Sequence, residues 1–116
     1  MNVVAVTSAG SFDMPEIAAG SRADQEAELC TMIGCEKLDG LPVGDQKCPC
    51  HMWFDSAQTD AAADINDAAG IIAEHQRVLR GTVVFTGPIT NAGLITFLNT
   101  ATVNRIDSIT TRSQGS

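Results

Sequence analysis

Basic side chains are scarce in this sequence. Seven Lys and Arg residues stand against 14 Asp and Glu, which gives a formal net charge of −7. Nucleic acids and anionic membrane surfaces carry phosphates, and phosphates repel a chain of this charge. We therefore expect no nucleic-acid partner. We also expect no membrane insertion, because no apolar run approaches the roughly 18–20 residues that a helix needs to cross a bilayer.

Catalytic motifs are missing as well. His51 and His75 are the only imidazoles, and neither lies beside a nucleophile turn of the Gly-x-Ser-x-Gly kind. The sequence contains no phosphate-binding loop, dinucleotide fingerprint or His-Glu-x-x-His helix. We assign no catalytic residue and expect no cofactor. Whether the protein is an enzyme stays open at this point.

The composition is that of a folded chain, with 44% hydrophobic residues over 116 positions. That length predicts a single domain, or part of one, over residues 1–116. Two segments differ in character. Residues 1–58 hold all four cysteines and are acidic, with three basic against nine acidic side chains; residues 59–116 hold four basic against five acidic ones.

The first segment predicts one strand, one clear helix and a long loop. A β-branched run predicts a strand within residues 2–7, and Asp13 is placed to begin a short helical turn. A helix is predicted over 22–33, because Ser21 can cap its start and Gly34 can close its end. Its inward face is expected to carry Ala23, Ala27, Cys30 and Ile33. Glycine and proline interrupt residues 35–55, which are predicted to be a loop.

Four cysteines flank this predicted loop: Cys30, Cys35, Cys48 and Cys50. An even number of cysteines in a small chain favours two disulfides, with the first two cysteines paired to the last two across the loop. A zinc site using the four thiols and His51 is the alternative, although structural zinc sites usually space their cysteines differently. Buried, unbridged thiols are a third interpretation.

Trp53 and Phe54 are the only adjacent aromatic pair in a chain that has no tyrosine. Large apolar side chains are usually buried, so we favour packing of this pair onto the core. The alternative is a partner-binding anchor, because Trp is enriched where protein interfaces hold most of their binding energy.

The second segment predicts a strand–helix–strand unit. A helix is expected from Ser56 or Thr59 to Arg80, followed by a strand over residues 82–86 and a turn. A second helix is expected from Thr90 or Asn91, and a second strand over 106–111. The connection of 18 residues suits a right-handed crossover between parallel strands. We therefore predict an α/β fold with a small, mostly parallel sheet, a βαβ unit at the C-terminus and a cysteine-tethered N-terminal helix-loop region.

Residues 77–89, with the sequence RVLRGTVVFTGPI, resemble the opening of the Clp-type peptidase and crotonase superfamily. The resemblance covers about residues 75–116. In that family a glycine turn after the second strand supplies backbone amides to an oxyanion hole. Gly115 matches the first glycine of the turn, and Ser116 stands where the second would be. The family's nucleophile, histidine and acid all come later, so the resemblance implies a noncatalytic portion of a serine-peptidase-like hydrolase.

Two functions follow as expectations. The first is a noncatalytic portion or accessory chain of a secreted Clp-peptidase-like protein. The second is a small disulfide-stapled binding or assembly protein that pairs with a partner through an open sheet edge. Both imply a protein partner or self-association into an oligomer. Disulfides would place the chain in an oxidising compartment, secreted or periplasmic.

Overall fold

The computed structural model of the chain describes residues 3–7, 12–17, 21–34, 37–43, 50–55, 66, 81–96 and 98–114. Within these residues, five strands form one sheet and two helices accompany it. The strands are β1 (Val4–Val6), β2 (Phe12–Asp13), β3 (Leu38–Val43), β4 (Cys50–Asp55) and β5 (Val83–Thr86); the helices are α1 (Arg22–Ile33) and α2 (Thr100–Gln114). The helix predicted from Ser56 or Thr59 to Arg80 lies, apart from Asn66, outside the described residues.

The sheet is antiparallel at every pairing and has the strand order β2-β1-β5-β4-β3. Val84 of β5 lies opposite Ala5 of β1 on one side and Trp53 of β4 on the other. The predicted mostly parallel sheet with a C-terminal βαβ unit is therefore wrong. β5 is inserted between two hairpins, and no parallel strand follows it in the described residues.

Residues 87–114 differ from prediction for a physical reason that the sequence contains. The predicted helix from Thr90 or Asn91 is a turn-rich loop, and the predicted strand over 106–111 is part of α2. The side-chain oxygen of Asn99 accepts hydrogen bonds from both the backbone N–H and the hydroxyl of Thr102, at 2.7 and 2.8 Å, which caps α2. Thr102, Ile106 and Thr110 are spaced by four and are all buried. This helical spacing overrides the β-branched composition.

Residues 38–43 and 50–55 form the antiparallel strands β3 and β4, so the predicted loop over 35–55 is wrong at these positions. Its remaining residues, except Lys37, lie outside the described residues. The register runs from Leu38 opposite Asp55 to Val43 opposite Cys50. The glycine and proline that suggested a loop are compatible with β3 because β3 is an outer strand, where a missing N–H is tolerated.

Helix α1 has the predicted bounds and the predicted caps. Ser21 Oγ accepts from the Asp24 amide at 3.2 Å, and Gly34 adopts the left-handed conformation, with φ 79° and ψ 33°. Its inner face is the predicted one only in part: Ile33 packs against the core and Cys30 is half-buried. Gln25 and Leu29 are buried, whereas Ala23 and Ala27 are exposed. The helical turn predicted at Asp13 is also wrong, because Asp13 belongs to β2 and pairs with β1.

Strand alternation divides the core between the two faces of the sheet. One face, here the α1 face, holds Val3, Ala5, Ile17, Leu29, Trp53, Val84 and Ile95. The opposite α2 face holds Val4, Val6, Val43, Cys50, Met52, Phe54, Val83, Phe85, Leu98 and Ile106. Burial of each large side chain contributes about 1.5–3 kcal/mol. Neither described helix is long and apolar enough to cross a membrane.

Candidate functional site

The described cysteines do not form the predicted bridges. Cys30 lies on α1, and Cys50 lies in the core of the α2 face, on the far side of the sheet. In the described part of the chain neither takes part in a disulfide, and Cys50 Sγ lies 3.6 Å from the Val43 carbonyl oxygen as a hydrogen-bond donor. The sheet between them excludes a direct bridge. Cys35 and Cys48 lie outside the described residues.

The same geometry bears on the zinc alternative. Cys50 and His51 are successive residues of β4, so their side chains point to opposite faces of the sheet. Cys50 and His51 therefore cannot bind one tetrahedral ion together. Among the residues that the structure describes, no three His, Cys, Asp or Glu side chains are grouped as metal ligands. The expected oxidising compartment, which rested on the bridges, stays a prediction without that support.

Trp53 and Phe54 also point to opposite faces, and both are buried, with 3% and 2% of their surface exposed. Trp53 packs on the α1 face and Phe54 on the α2 face. They do not form a joint surface patch. The oxyanion-turn candidates Gly115 and Ser116 lie outside the described residues.

The structure assembles a polar cluster that the sequence did not reveal, formed by Arg22, His51 and Trp53. Arg22 begins α1 and places its guanidinium carbon 5.3 Å from the centroid of the Trp53 ring. The His51 ring centroid lies 4.5 Å from that of Trp53, with the two planes inclined by 40°. A cation over an indole face is attracted by the negative potential of that face, although the ring itself is neutral. We call these three residues the Arg–His–Trp cluster.

Trp53 is fixed within this cluster by hydrogen bonds. Its indole N–H donates to Thr86 Oγ1 at 2.9 Å, and the Thr86 hydroxyl donates onward to the Gly87 carbonyl at 3.0 Å. Both groups are buried, so each bond satisfies a polar atom that would otherwise be costly to bury. The indole ring is therefore a rigid base for the two side chains beside it.

Gly40 of β3 allows the two rings to lie close to the neighbouring strand. A Cβ atom at this position would lie 2.8 Å from His51 Nε2 and 2.8 Å from Trp53 Cε3. Those distances are shorter than ordinary carbon contacts. A glycine is needed here because the rings occupy the space of its side chain.

The loop over residues 87–96 lies beside the cluster and contacts Arg22. It folds back on itself through the pairing of Ile89 with Ile95 and the hydrogen bond from the Gly87 amide to the Thr96 carbonyl, at 2.8 Å. Arg22 Nη1 donates to the carbonyl of Gly93 at 2.9 Å, so the guanidinium is tied to this loop.

The guanidinium also meets a carboxylate. Arg22 Nε lies 3.3 Å from Glu26 Oε1 one turn along α1, with side chains 36% and 43% exposed. Yet Nε is itself a buried atom, and it makes no hydrogen bond to any residue that the structure describes. The contact is an ion pair without good hydrogen-bond geometry, and exposed pairs of this kind contribute little to stability.

His51 is perturbed by the same surroundings. Burial lowers the pKa of its imidazole below 6.5, and the nearby positive charge of Arg22 lowers it further. The ring is therefore neutral at neutral pH, with one N–H donor and one acceptor nitrogen.

His51 does not activate the hydroxyl of Thr86 as a nucleophile. Thr86, which lies opposite His51 in the β4–β5 register, provides the hydroxyl already described. That hydroxyl accepts from Trp53 and donates to Gly87, so its proton is not directed at the imidazole. A general base must reach the proton that it removes. The guanidinium of Arg22 and the imidazole of His51 instead provide N–H donors beside an indole, and such donors can hold an anionic group.

A weak signal for this cluster does exist in the sequence. His51 and Trp53 are two residues apart, which places them on one face of a strand. The prediction of a loop at this position concealed that relation. Arg22 carried no signal, because its approach to Trp53 depends on how α1 packs against the sheet.

Comparison of the chain with known protein families, with curated proteins and with solved structures found no match.

Proposed function

We propose that this protein is a noncatalytic binding protein that takes a carboxylate group at the Arg–His–Trp cluster. The observation that carries the proposal is the guanidinium of Arg22, which lies over Trp53 and is close enough to His51 to lower its pKa. Within the described residues its Nε atom makes no hydrogen bond. A carboxylate accepts two parallel N–H donors from a guanidinium, and such pairs are the strong form of this interaction.

Glu26 supports the choice of ligand. Its carboxylate is already 3.3 Å from Arg22 Nε, which shows that a group of this charge fits beside the guanidinium. Because Glu26 is partly exposed and poorly aligned, an incoming carboxylate can displace it. Glu26 is then an internal competitor for the site.

His51 supplies the second contact. Its neutral ring has one N–H, and protonation adds another donor and a positive charge. A bound anion offsets the repulsion between His51 and Arg22, so it raises the pKa of His51 toward its ordinary value. Binding is therefore expected to strengthen as the pH falls below 6.5.

The resemblance to Clp-type peptidases does not carry this proposal. It was built on a strand over 106–111, and that segment lies in α2. A peptidase origin stays a prediction. The prediction of a binding protein is retained, without disulfide staples and with the ligand at the α1 face.

The test uses Trp53, the only tryptophan of the chain, as an intrinsic fluorescent reporter. We expect sodium acetate to change its emission saturably at constant ionic strength, while sodium chloride does not. Arg22→Gln should abolish the response. Glu26→Gln should strengthen acetate binding several-fold, because it removes the internal competitor.

Glu28→Gln is the matched control, because it makes the same charge change on the same helix and should leave the affinity unchanged. If Glu26→Gln and Glu28→Gln raised the acetate affinity equally, the loss of one negative charge would explain the result, and Glu26 would not be a competitor at the site. A response to acetate that persists in Arg22→Gln would contradict the proposed site.

A further inference from the structure

Within the part of the chain that the structure describes, the two outer strands of the sheet are β2 and β3, and β3 is the longer, with six residues against two. An outer strand carries outward N–H and C=O groups, which can pair with a strand of another chain. Whether such pairing occurs at β3 depends on its outward amides.

The outward positions of β3 follow from its hydrogen bonds. In an antiparallel pair, alternate residues direct their backbone groups toward the partner strand and away from it. The Gly40 amide donates to its neighbour's carboxylate, Asp39 Oδ1, at 2.8 Å. That amide is thus directed away from β4. Leu38 and Pro42 each lie two residues from Gly40 in β3, so their backbone groups also point away from β4.

Two of these three outward positions cannot donate to an added strand. The Gly40 amide is occupied by Asp39, and Pro42 has no amide hydrogen. The Leu38 amide remains. A regular ladder needs donors as well as acceptors from each strand. β3 keeps its outward carbonyls but has one outward donor, at its end, so it does not support a full ladder.

β2, at the other edge, repeats part of this arrangement. The Met14 amide, directly after β2, donates to Asp13 Oδ1 at 2.9 Å. In both outer strands an aspartate thus occupies the amide of the residue that follows it.

We propose that Asp39 and Pro42 together close the β3 edge to strand addition, so that neither a second copy of this chain nor a partner strand extends the sheet there. The proposal is independent of the carboxylate site. It directs the expected protein partner away from the β3 edge of the sheet.

The test restores the outward donors and measures the mass in solution. In Asp39→Thr/Pro42→Thr the carboxylate is gone and residue 42 gains an amide. We expect the weight-average mass in sedimentation equilibrium to rise at least twofold above that of the wild type over the same concentration series. By NMR, the new amide of residue 42 should become protected from hydrogen exchange.

Asp107→Thr on the exposed side of α2 is the charge-matched control and should keep the wild-type mass. Pro42→Thr alone retains the Asp39 contact, so its rise in mass should be smaller; it also serves if the double variant does not fold. The proposal fails if the folded variants keep the wild-type mass. It also fails if the wild type is an oligomer in which the amides of β3 are protected by a second chain.

Discussion

The side chain of Gln25 pairs with the main chain of Ile95 as a neighbouring strand would. Gln25 Nε2 donates to the Ile95 carbonyl at 3.2 Å, and the Ile95 amide donates to Gln25 Oε1 at 3.1 Å. Both residues are buried. This pair satisfies an amide and a carbonyl that lie outside the sheet, and it joins α1 to the loop over 87–96.

Replacing Gln25 by Ala should therefore destabilise the protein by about 2–4 kcal/mol, because it leaves both backbone groups of Ile95 buried without partners. Urea unfolding followed by circular dichroism measures this change. Ala27→Ser, at an exposed position of the same helix, should change the free energy of unfolding by less than about 0.5 kcal/mol. A loss for Gln25→Ala no larger than that of the control would contradict the pairing.

The hydrogen bond between Trp53 and Thr86 predicts a measurable coupling. Trp53→Phe and Thr86→Val should each cost about 1–2 kcal/mol. Thr86→Val leaves the buried indole N–H without its acceptor, and Trp53→Phe removes the donor to the buried Thr86 hydroxyl. The double variant should cost less than their sum by about 0.5–1.5 kcal/mol. Thr86→Ser keeps the hydroxyl and should retain the coupling. Strict additivity in this cycle would show that the bond does not contribute to stability.

Gly40→Ala should destabilise the protein by about 1–3 kcal/mol, because its Cβ would overlap His51 and Trp53. Truncating one neighbour, in Gly40→Ala/His51→Ala, should recover part of the loss. Gly93→Ala is the contrasting case. Among the described residues its Cβ meets nothing within 4 Å, and its cost comes from a backbone φ of +84°, so His51→Ala should not relieve it. Thermal unfolding of Gly40→Ala and Gly93→Ala, each with and without His51→Ala, checks both expectations.

Stability should fall as the pH is lowered from 7.5 to 5.5. The pKa of His51 is lowered in the folded protein, first by burial and then by Arg22. The unfolded chain therefore takes up this proton at a higher pH than the folded chain does. The contribution of His51 is fully present above pH 6.5 and is lost as the pH falls toward the folded-state pKa.

His51→Gln should flatten this pH dependence, and urea unfolding at each pH measures it. His75→Gln, at the only other histidine of the sequence, is the matched control and should keep the dependence of His51 intact. Arg22→Gln should move the pKa of His51 upward in an NMR titration, since it removes one of the two causes. An unchanged slope in His51→Gln would contradict the assignment.

The sequence predicted α1 because its ends are defined locally, by Ser21 and Gly34. It predicted the buried face only in part, because Gln25 is a polar residue whose partner, Ile95, lies 70 positions away. α2 was not predicted, because its local composition favours a strand. Ile106, Ile109 and Thr110 favour strands by their branching, and the helical spacing outweighs this preference only when there is a sheet to cover.

β3, β4 and the Arg–His–Trp cluster depend on relations that local patterns do not contain. Gly40 and Pro42 are typical of loops. Here Gly40 makes room for the rings of His51 and Trp53, and Pro42 lies in the outer strand β3. His51 and Trp53 share a face only if β4 is a strand. The strand order that makes β4 a neighbour of β5 is set by burial on both faces of the sheet.

The position of β5 in the middle of the sheet has a consequence for synthesis. β1 ends at Val6, and the strand that joins it to β4 is complete only at Thr86. Eighty residues separate these two points, so at about 5–20 residues per second the ribosome leaves β1 without its central partner for about 4–16 s. The β3–β4 hairpin can form earlier, because its strands are close in sequence. Until β5 emerges, the β1–β2 pair and the β3–β4 pair are not joined, and the apolar side chains of both pairs need protection from aggregation.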